Sequence, residues 1–300
     1  MIIAIGEVVT DHFPEYQRIG GAPLNFACHL KKFGEDVGLI TRLGTDAEGN
    51  DIRRLILDHN LPAELIQTDK EHATGRVNVT LDLQGVPHFD IVENAAYDFI
   101  DLNLSTIGER TSGTKLIYYG SLIQRSANGF SQIRRFLERR PSTAKCFCDI
   151  NLRLPHVSRS VIEQCLRYAD ILKLNGDELR LIGEMLNVTG EASAVVRRLM
   201  TIYGLELVAV TLGEAGSFIV SEEKRYDAPI PEKSDMVDTV GAGDAFAAVL
   251  ALGCLRRIPM NSVLQIATNF ATRICACPGA IPDDDSPYKK VIRQLEGLQK

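Results

Sequence analysis

The segment Asp238-Thr239-Val240-Gly241-Ala242-Gly243-Asp244 places two glycines and two carboxylates directly before an apolar run. Apolar residues recur at helical spacing after Asp244, which predicts that the glycines end a loop and that Asp244 opens a buried helix. A helix start carries free N–H groups and about half a positive charge, and glycine lets a ligand approach the backbone. The segment therefore predicts an anion site, and the alternative is that Asp244 only caps the helix.

Alternating strands and helices must position this segment. A first strand at residues 1–5 is followed by short apolar strands and amphipathic helices in alternation, and this rhythm resumes from Leu116. The pattern predicts a mostly parallel sheet covered by helices, with ligands at the carboxyl ends of its strands. Between residues 75 and 99 alternate residues are apolar, which predicts a small antiparallel insertion, either a lid over a site or an edge extension. We predict one α/β domain over residues 1–300, with a small β-sheet lid at 74–99 together with 12–19.

The composition argues against several classes of partner. The formal net charge of the 300 residues is −6 and no basic cluster interleaved with aromatic residues occurs, which argues against a nucleic-acid or anionic-membrane surface. No apolar stretch reaches membrane-spanning length, and the first strand lacks the features of a signal peptide. The seven cysteines fit a reducing compartment, and their spacing does not favour a zinc site. These features predict a cytoplasmic protein whose partner is a small molecule.

Two common nucleotide-binding motifs match the sequence poorly. Gly241-Ala242-Gly243 supplies half of the dinucleotide-binding motif Gly-x-Gly-x-x-Gly, but Phe246 stands at its third glycine and the segment lies late in the chain. A Walker A motif would need Gly-Lys followed by Ser or Thr, and this tripeptide does not occur. The anion site therefore needs another explanation.

Five motifs follow one another in an order that is typical of one family. They are Gly20-Gly21-Ala22-Pro23-Leu24-Asn25, Leu43-Gly44-Thr45-Asp46-Ala47-Glu48-Gly49, Asn175 with Glu178, Thr211-Leu212-Gly213-Glu214-Ala215-Gly216, and Asp238 to Asp244. Through them the chain resembles, over essentially its whole length, the ribokinase-like carbohydrate kinases of the PfkB family. The resemblance implies a ribokinase-like α/β fold with a small β-sheet lid. It also implies transfer of the γ-phosphoryl group of ATP to a sugar hydroxyl, with Mg²⁺.

The resemblance assigns the transfer point to the segment with the two glycines. Asp244 is implied to be the general base that accepts the proton of the attacking hydroxyl. The backbone N–H groups of Gly241, Ala242 and Gly243 are implied to bind the transferring phosphoryl group. This assignment is physically consistent, because phosphoryl transfer depends on positioning and charge neutralisation more than on a strong base.

The nucleotide side is implied by three further motifs. Asn175 and Glu178 match the family's Asn-x-x-Glu, whose oxygens are associated with phosphates and Mg²⁺, which we expect Glu178 to contact through water. The alternative is a helix start in which the two side chains cap each other. Nucleotide contacts are implied for Thr211, Gly213, Gly216 and Asn269.

The sugar side is implied by residues near the first helix and by one arginine. Asp11 and Asn25, beside Gly20 and Gly21, can hydrogen-bond neighbouring hydroxyls of a sugar, and the alternatives are a turn residue and a cap. Arg153 ends an Asp-x-Asn-x-Arg motif that is similar to those of fructokinases and 2-keto-3-deoxygluconate kinases. It would steady a phosphate or a substrate carboxylate, or else form a surface ion pair.

The resemblance also bears on a monovalent cation and on assembly. Asp238 and the backbone near Gly279 stand where relatives hold K⁺, but Asp283 occupies a position where a small hydroxyl residue is common, so the need for K⁺ stays open. Lids of this family commonly pair between subunits, which implies a homodimer.

The sequence thus predicts an ATP-dependent sugar kinase, and first of all a fructokinase. Its Ala22 favours fructokinases over ribokinases, which usually carry Lys at this place. A 2-keto-3-deoxygluconate kinase and a ribokinase-type kinase are the alternative enzymes. A catalytically silent regulatory subunit that binds nucleotide or sugar is the alternative from another class, and the intact Gly241, Gly243 and Asp244 argue against it.

Overall fold

The computed structural model describes residues 1–81, 87–103, 111, 113–228 and 238–298. Its strands are β1 (Ile2–Ile5), β2 (Val9–His12), β3 (Gln17–Gly20), β4 (Val37–Leu43), β5 (Ile66–Thr68), β6 (Gly75–Leu81), β7 (Pro87–Ile91), β8 (Leu116–Tyr119), β9 (Lys145–Asp149), β10 (Ile171–Asn175), β11 (Leu207–Thr211), β12 (Ser217–Ser221) and β13 (Arg225–Asp227). Its α-helices are α1 (Ala22–Lys32), α2 (Ala47–Asp58), α3 (Ala127–Glu138), α4 (Arg159–Tyr168), α5 (Gly176–Leu186), α6 (Ala192–Tyr203), α7 (Ala242–Leu255), α8 (Met260–Cys275) and α9 (Ser286–Leu298).

The main sheet has the strand order β13-β12-β11-β10-β9-β8-β1-β4-β5. All neighbouring strands from β11 through β1 to β5 in this order pair in parallel. Strands β12 and β13, at the opposite edge, pair antiparallel with their neighbours. Because side chains alternate across a strand, Ile3 and Ile5 enter one hydrophobic core while Ile2 and Ala4 enter the other. The predicted architecture, a mostly parallel sheet with helices on both faces, is therefore confirmed.

The helices divide between the two faces of this sheet. Helices α3 to α6 pack into the core that contains Ile3, and α1, α2 and α7 to α9 pack into the core that contains Ala4. Helix α7 is the most enclosed, since every residue from Ala245 to Gly253 is buried. It begins at Ala242 rather than at Asp244, because Gly241 takes the left-handed backbone (φ of 80°) that ends the loop. Asp244 therefore lies in the first turn of the helix.

A second, four-stranded sheet has the order β3-β2-β6-β7. Strands β6 and β7, within the segment predicted as an antiparallel insertion, pair antiparallel, whereas β2 pairs antiparallel with β3 and parallel with β6. The difference arises because β2, which follows the first strand of the chain, joins the sheet between β3 and β6. The sequence predicts a turn at Gly85-Val86-Pro87, and Gly85 and Val86 lie outside the described residues.

Two local features depart from the sequence pattern or add to it. Residues 63–67 are predicted as a strand, but a turn of 3₁₀-helix, Ala63–Leu65, follows Pro62 and delays β5 to Ile66. Helices α2, α3 and α4 begin at side-chain caps supplied by Asp46, Ser126 and Ser158. None of the helices in the described part of the chain combines the length and apolar character needed to cross a bilayer.

Candidate active site

The first turns of α1 and α7 meet at a hydrogen bond between two predicted site residues. The Nδ2 atom of Asn25 donates to Oδ2 of Asp244 at 2.8 Å, across a sequence separation of 219 residues. Asn25 is buried, and Asp244 follows the loop that Gly241 ends. The contact places the predicted sugar-binding amide beside the predicted base.

The environment of Asp244 acts on its carboxyl group in opposing directions. Burial raises the pKa of Asp244 above its ordinary value, and the charge of Lys173, the hydrogen bond from Asn25 and the charge of Arg153 lower it. Burial outweighs the other three influences. A carboxylate with a raised pKa is a better proton acceptor than an exposed aspartate, which is the property required of a general base.

A buried ion pair lies next to Asp244. The Nζ atom of Lys173, on β10, is 3.0 Å from each carboxylate oxygen of Asp149, which ends β9, and the hydroxyl of Tyr118 donates to Oδ2 of Asp149 at 3.2 Å. Burial raises the pKa of Asp149 to about 7, and Lys173 opposes this rise, while Asp244 and Glu178 add to it. The carboxyl ends of these strands thus meet in a cluster of acidic groups with one buried cation.

The two glycines before Asp244 have different neighbours. A Cβ atom on Gly241 would lie 2.4 Å from the Cβ of Ala280, and its φ of 80° is in the left-handed region. A Cβ atom on Gly243 would lie 2.9 Å from Nζ of Lys173. The N–H of Ala242 donates to the carbonyl of Thr239 over a long 3.4 Å, so this donor is only weakly engaged.

The predicted sugar residues gather at one side of Asp244. Asp11 lies on β2, and a Cβ atom on Gly20 would approach its Oδ2 to 3.6 Å. Gly21 has a φ of 120°, and a Cβ there would lie 2.6 Å from the carbonyl oxygen of Glu7. Burial raises the pKa of Asp11 to about 6, and the charges of Arg153, Arg18 and His12 oppose this rise.

The charge of Arg153 acts on the same group of carboxylates. Its side chain is exposed and donates from Nη1 to the carbonyl of Leu152 at 3.0 Å, and its charge lowers the pKa values of Glu7, Asp11 and Asp244. It forms no salt bridge within the described residues, so the surface ion pair considered for it is not observed. Its charge is available to an anionic group in the cleft.

Asn175 and Glu178 cap each other at the start of α5. Oδ1 of Asn175 accepts the N–H of Glu178 at 2.8 Å, and Oε2 of Glu178 accepts the N–H of Asn175 at 2.7 Å. Oε1 of Glu178 accepts the N–H of Leu152 at 2.8 Å. The capping alternative is therefore observed, and the unused lone pairs of the carboxylate fit a contact with a hydrated metal ion. Within the described residues no group of three or more His, Cys, Asp or Glu could hold a metal.

The predicted nucleotide residues come together at a turn beside α8. Thr211 ends β11, and Gly213 and Gly216 have φ values of 58° and 90° in the turn that follows it. A hydrogen bond of 2.7 Å joins the hydroxyls of Ser217 and Thr268. It brings the end of this turn next to Asn269, whose side chain is exposed and accepts from Nε2 of Gln265 at 3.2 Å.

Asp238 already has a cation partner from its own chain. Arg18, on β3, forms an ion pair with Oδ2 of Asp238, and the N–H of Val240 donates to Oδ1 at 3.0 Å. The carboxylate predicted to bind K⁺ is therefore occupied by a guanidinium. The backbone at Gly279 has a φ of 75° and follows α8, close in sequence to Cys275, whose carbonyl accepts the N–H of Asp238.

Sequence reasoning missed three residues of this site. Lys173 is the one charged side chain between the apolar residues of β10, and such a residue in a buried strand is a usable signal. Glu7 follows β1 directly; it is buried, and burial raises its pKa to about 7. Arg18 gives no comparable signal, because its partner Asp238 is 220 residues away.

Comparison with known proteins gives the class of protein. A family model described as pfkB family carbohydrate kinase matches residues 8–287. Fructokinase-2 of Zea mays is 26% identical over 274 residues, which cover 83% of this chain and 78% of that protein. The putative sugar kinase PH1459 of Pyrococcus horikoshii is 28% identical over 248 residues, which cover 79% of this chain and 73% of that protein.

The crystal structure of that P. horikoshii sugar kinase in complex with ATP superimposes with a TM-score of 0.84 at 25% identity, covering 98% of this chain and 100% of the other. The fold and the comparisons together define an ATP-dependent sugar kinase. The chain belongs to the pfkB family of carbohydrate kinases and has its ribokinase-like fold. The family, fold and enzyme class predicted from the sequence are thereby confirmed.

Proposed function

We propose that this sugar kinase is a fructokinase in which Asp244 is the general base. The observation that carries the proposal is the hydrogen bond from Asn25 to Asp244, because it joins the amide predicted to bind the sugar to the carboxylate predicted to accept the proton. A sugar hydroxyl held by Asn25 would lie within reach of the Asp244 carboxylate. Fructokinases among the relatives of modest identity support the choice of sugar.

The other predicted residues take their parts around this pair. On the sugar side, Asp11, Gly20 and Gly21 line the approach, and Arg153 offers a cation to the phosphate or the sugar. On the anion side, the start of α7 offers free N–H groups and the positive end of a helix dipole to the transferring phosphoryl group. The nucleotide would lie along the turn after β11, at Thr211, Gly213, Gly216 and Asn269.

The charge of the site supports Mg²⁺ as the partner of ATP. Glu7, Asp149 and Glu178 are buried carboxyl groups at the same end of the sheet as the half-buried Asp244, and Lys173 is buried with them. A polyphosphate entering such a site needs further positive charge, which a divalent cation supplies. We propose that Glu178 contacts this cation through water.

Our proposals on the monovalent cation, the assembly and the location rest on other observations. We propose that Arg18 neutralises Asp238, so that K⁺ is not required. We also propose a homodimer formed through the small sheet as a lid, whose exposed apolar side chains include Tyr16 and Phe89. The seven free cysteines support the predicted cytoplasmic location, since unpaired thiols fit a reducing compartment.

A coupled assay of ADP release across fructose, ribose, 2-keto-3-deoxygluconate and adenosine tests the substrate. We expect the highest kcat/KM with fructose. Higher efficiency with 2-keto-3-deoxygluconate would overturn the fructokinase proposal. Binding of ATP by calorimetry without turnover of any substrate would favour the silent regulatory subunit.

The second candidate, a 2-keto-3-deoxygluconate kinase, is favoured by one specific observation. Arg153 faces Asp11 and Asp244 without a salt bridge in the described part of the chain, so it could bind a substrate carboxylate. In an acid-sugar kinase, Arg153→Met would raise KM for the acidic sugar far more than for fructose. Arg54→Met, at a side chain 72% exposed on α2, is the matched control.

A further inference from the structure

Lys173 is enclosed at the point where the predicted transfer would take place. Its neighbours on β10 are apolar, its residue exposure is 7%, and its ammonium contacts both oxygens of Asp149 at 3.0 Å. Burying a lysine is costly unless its charge is paired and hydrogen-bonded. Asp149 supplies that pairing, so the two charges are buried together.

Gly243 lies directly beside this ammonium. A Cβ atom on Gly243 would lie 2.9 Å from Nζ of Lys173, so the ammonium occupies the space that any other side chain would begin to fill. Gly243 does not lie in the left-handed region, so backbone conformation does not demand glycine here. The ammonium thus rests directly against the first turn of α7, one residue before Asp244.

The charge of Lys173 reaches the groups around it. It lowers the pKa values of Asp149 and Asp244. Burial lowers the pKa of Lys173 itself, but the charges of Asp149, Glu178 and Asp244 outweigh burial and raise it, so the side chain stays protonated. Within the described residues, the groups that hydrogen-bond Asp244 or interact with its charge are Asn25 of α1, Glu7 after β1, Tyr118 of β8, Asp149 of β9, Arg153 after β9 and Lys173 of β10. Glu178 of α5 acts on Asp149 and Lys173.

We infer that Lys173 is a positioning residue for phosphoryl transfer: held by Asp149, its ammonium supports the Gly243 turn and supplies fixed positive charge beside Asp244. The inference rests on the proposed function, in which Asp244 is the base and the start of α7 receives the phosphoryl group. Fixed charge of this kind needs no reorganisation during the reaction, which is how preorganised groups stabilise a transition state. The competing explanation is a buried ion pair that only stabilises the sheet.

The test compares the pH profiles of kcat/KM for the best sugar in the wild type, Lys173→Met and Lys173→Arg. Loss of the cation raises the pKa of Asp244, so we expect the acidic limb of the Lys173→Met profile to move to higher pH. We expect its kcat to fall on the order of tenfold to hundredfold, with a smaller change in the KM for sugar. Lys173→Arg keeps the charge and should return the acidic limb toward its wild-type position.

Two further variants separate charge from packing. Asp149→Asn keeps the cation, so the acidic limb should stay at or below its wild-type pH, opposite to the shift in Lys173→Met. Gly243→Ala pushes a methyl group against the ammonium and should shift the acidic limb to higher pH. This variant replaces Lys173→Met in the test if Lys173→Met fails to fold. Lys145→Met is the matched control. Lys145 begins the neighbouring strand β9, at the end away from Asp149, and pairs with Glu206.

The results distinguish the inference from the function on which it rests. If Lys173→Met melts at a lower temperature but keeps the wild-type acidic limb and kcat, the lysine is only structural and the inference is overturned. An unmoved limb in Gly243→Ala would overturn it equally. If Asp244→Asn retains its turnover, the proposed base is wrong, whatever the lysine variants show.

Discussion

Replacement of Asp244 by asparagine isolates the proton-accepting step. The amide keeps the shape of the side chain, and its oxygen can still accept the hydrogen bond that Asn25 donates at 2.8 Å. Only the capacity to take a proton is lost. General bases contribute about 10²- to 10⁴-fold to turnover, so we expect kcat to fall by that factor, or about 3–5 kcal/mol in activation free energy.

The same substitution should not destabilise the fold. Burial raises the pKa of Asp244, and Lys173, Asn25 and Arg153 only partly offset this effect. A raised pKa means that the folded state disfavours the ionised form, so stability is lost as the pH rises through the folded pKa. At neutral pH a neutral side chain avoids this cost, and we expect Asp244→Asn to melt at the same temperature as the wild type or higher.

Three measurements decide the outcome: steady-state ADP release, calorimetric binding of the sugar and thermal unfolding. The KM for sugar should rise by no more than about tenfold, because one net hydrogen bond is worth about 1–1.5 kcal/mol. Asp51→Asn, at an exposed carboxylate on α2, is the control and should behave as the wild type. Turnover of Asp244→Asn within about tenfold of the wild type would refute the role of general base. A lower melting temperature would refute the electrostatic reasoning.

Three other predictions concern the surroundings of this aspartate. Burial raises the pKa of Glu7 from 4.5 to about 7, so the free energy of unfolding should fall as the pH rises from 4.5 to 7. Glu7→Gln should remove up to about 3 kcal/mol of this fall, as measured by urea unfolding at several pH values. Gly241→Ala should cost more than about 2 kcal/mol of unfolding free energy, because left-handed strain and the contact with the neighbouring methyl group add together. Gly34→Ala, with a similar φ of 84° and open space, should show the strain alone. Turnover of the wild type should be equal in K⁺ and tetramethylammonium buffers, because Arg18 neutralises the charge of Asp238. Arg18→Met should need K⁺ to neutralise this charge. K⁺ dependence of the wild type would contradict this prediction.

Much of the fold could be predicted because its signals are local. The alternation of apolar strands and helices is visible in short windows of sequence and gives the parallel sheet. The parallel pairing of β2 with β6 could not be predicted, since it joins segments more than 60 residues apart and alternation along one strand does not reveal the direction of its neighbour.

The candidate site also contains residues that local sequence signals predict and residues that only the fold brings together. Asn25 and Asp244 stand in motifs with helix starts, so each was predicted, although only the fold shows that they share a hydrogen bond. Lys173 and Arg18 have no motif, and their partners are chosen by the packing of strands and loops. Charge pairing across a sheet depends on strand order, which the sequence does not state. Asn175 and Glu178 show a further limit of the sequence. The two residues cap the start of α5, and because a phosphate site uses the same residue types, the sequence does not distinguish the two roles.

The two glycines of the Gly241-Ala242-Gly243 segment look equivalent in the sequence, but they differ in backbone conformation and in their nearest neighbours. Gly241 takes a left-handed backbone and packs against Ala280, so glycine is required by local conformation and by a close neighbour. Gly243 has no such conformation, and its nearest neighbour is the ammonium of Lys173, 2.9 Å from where a Cβ atom would stand. The first constraint would hold in any loop that starts a helix in this way. The second depends on Asp149, which holds the lysine ammonium against the helix, so the space at Gly243 is set by an ion pair on two neighbouring strands.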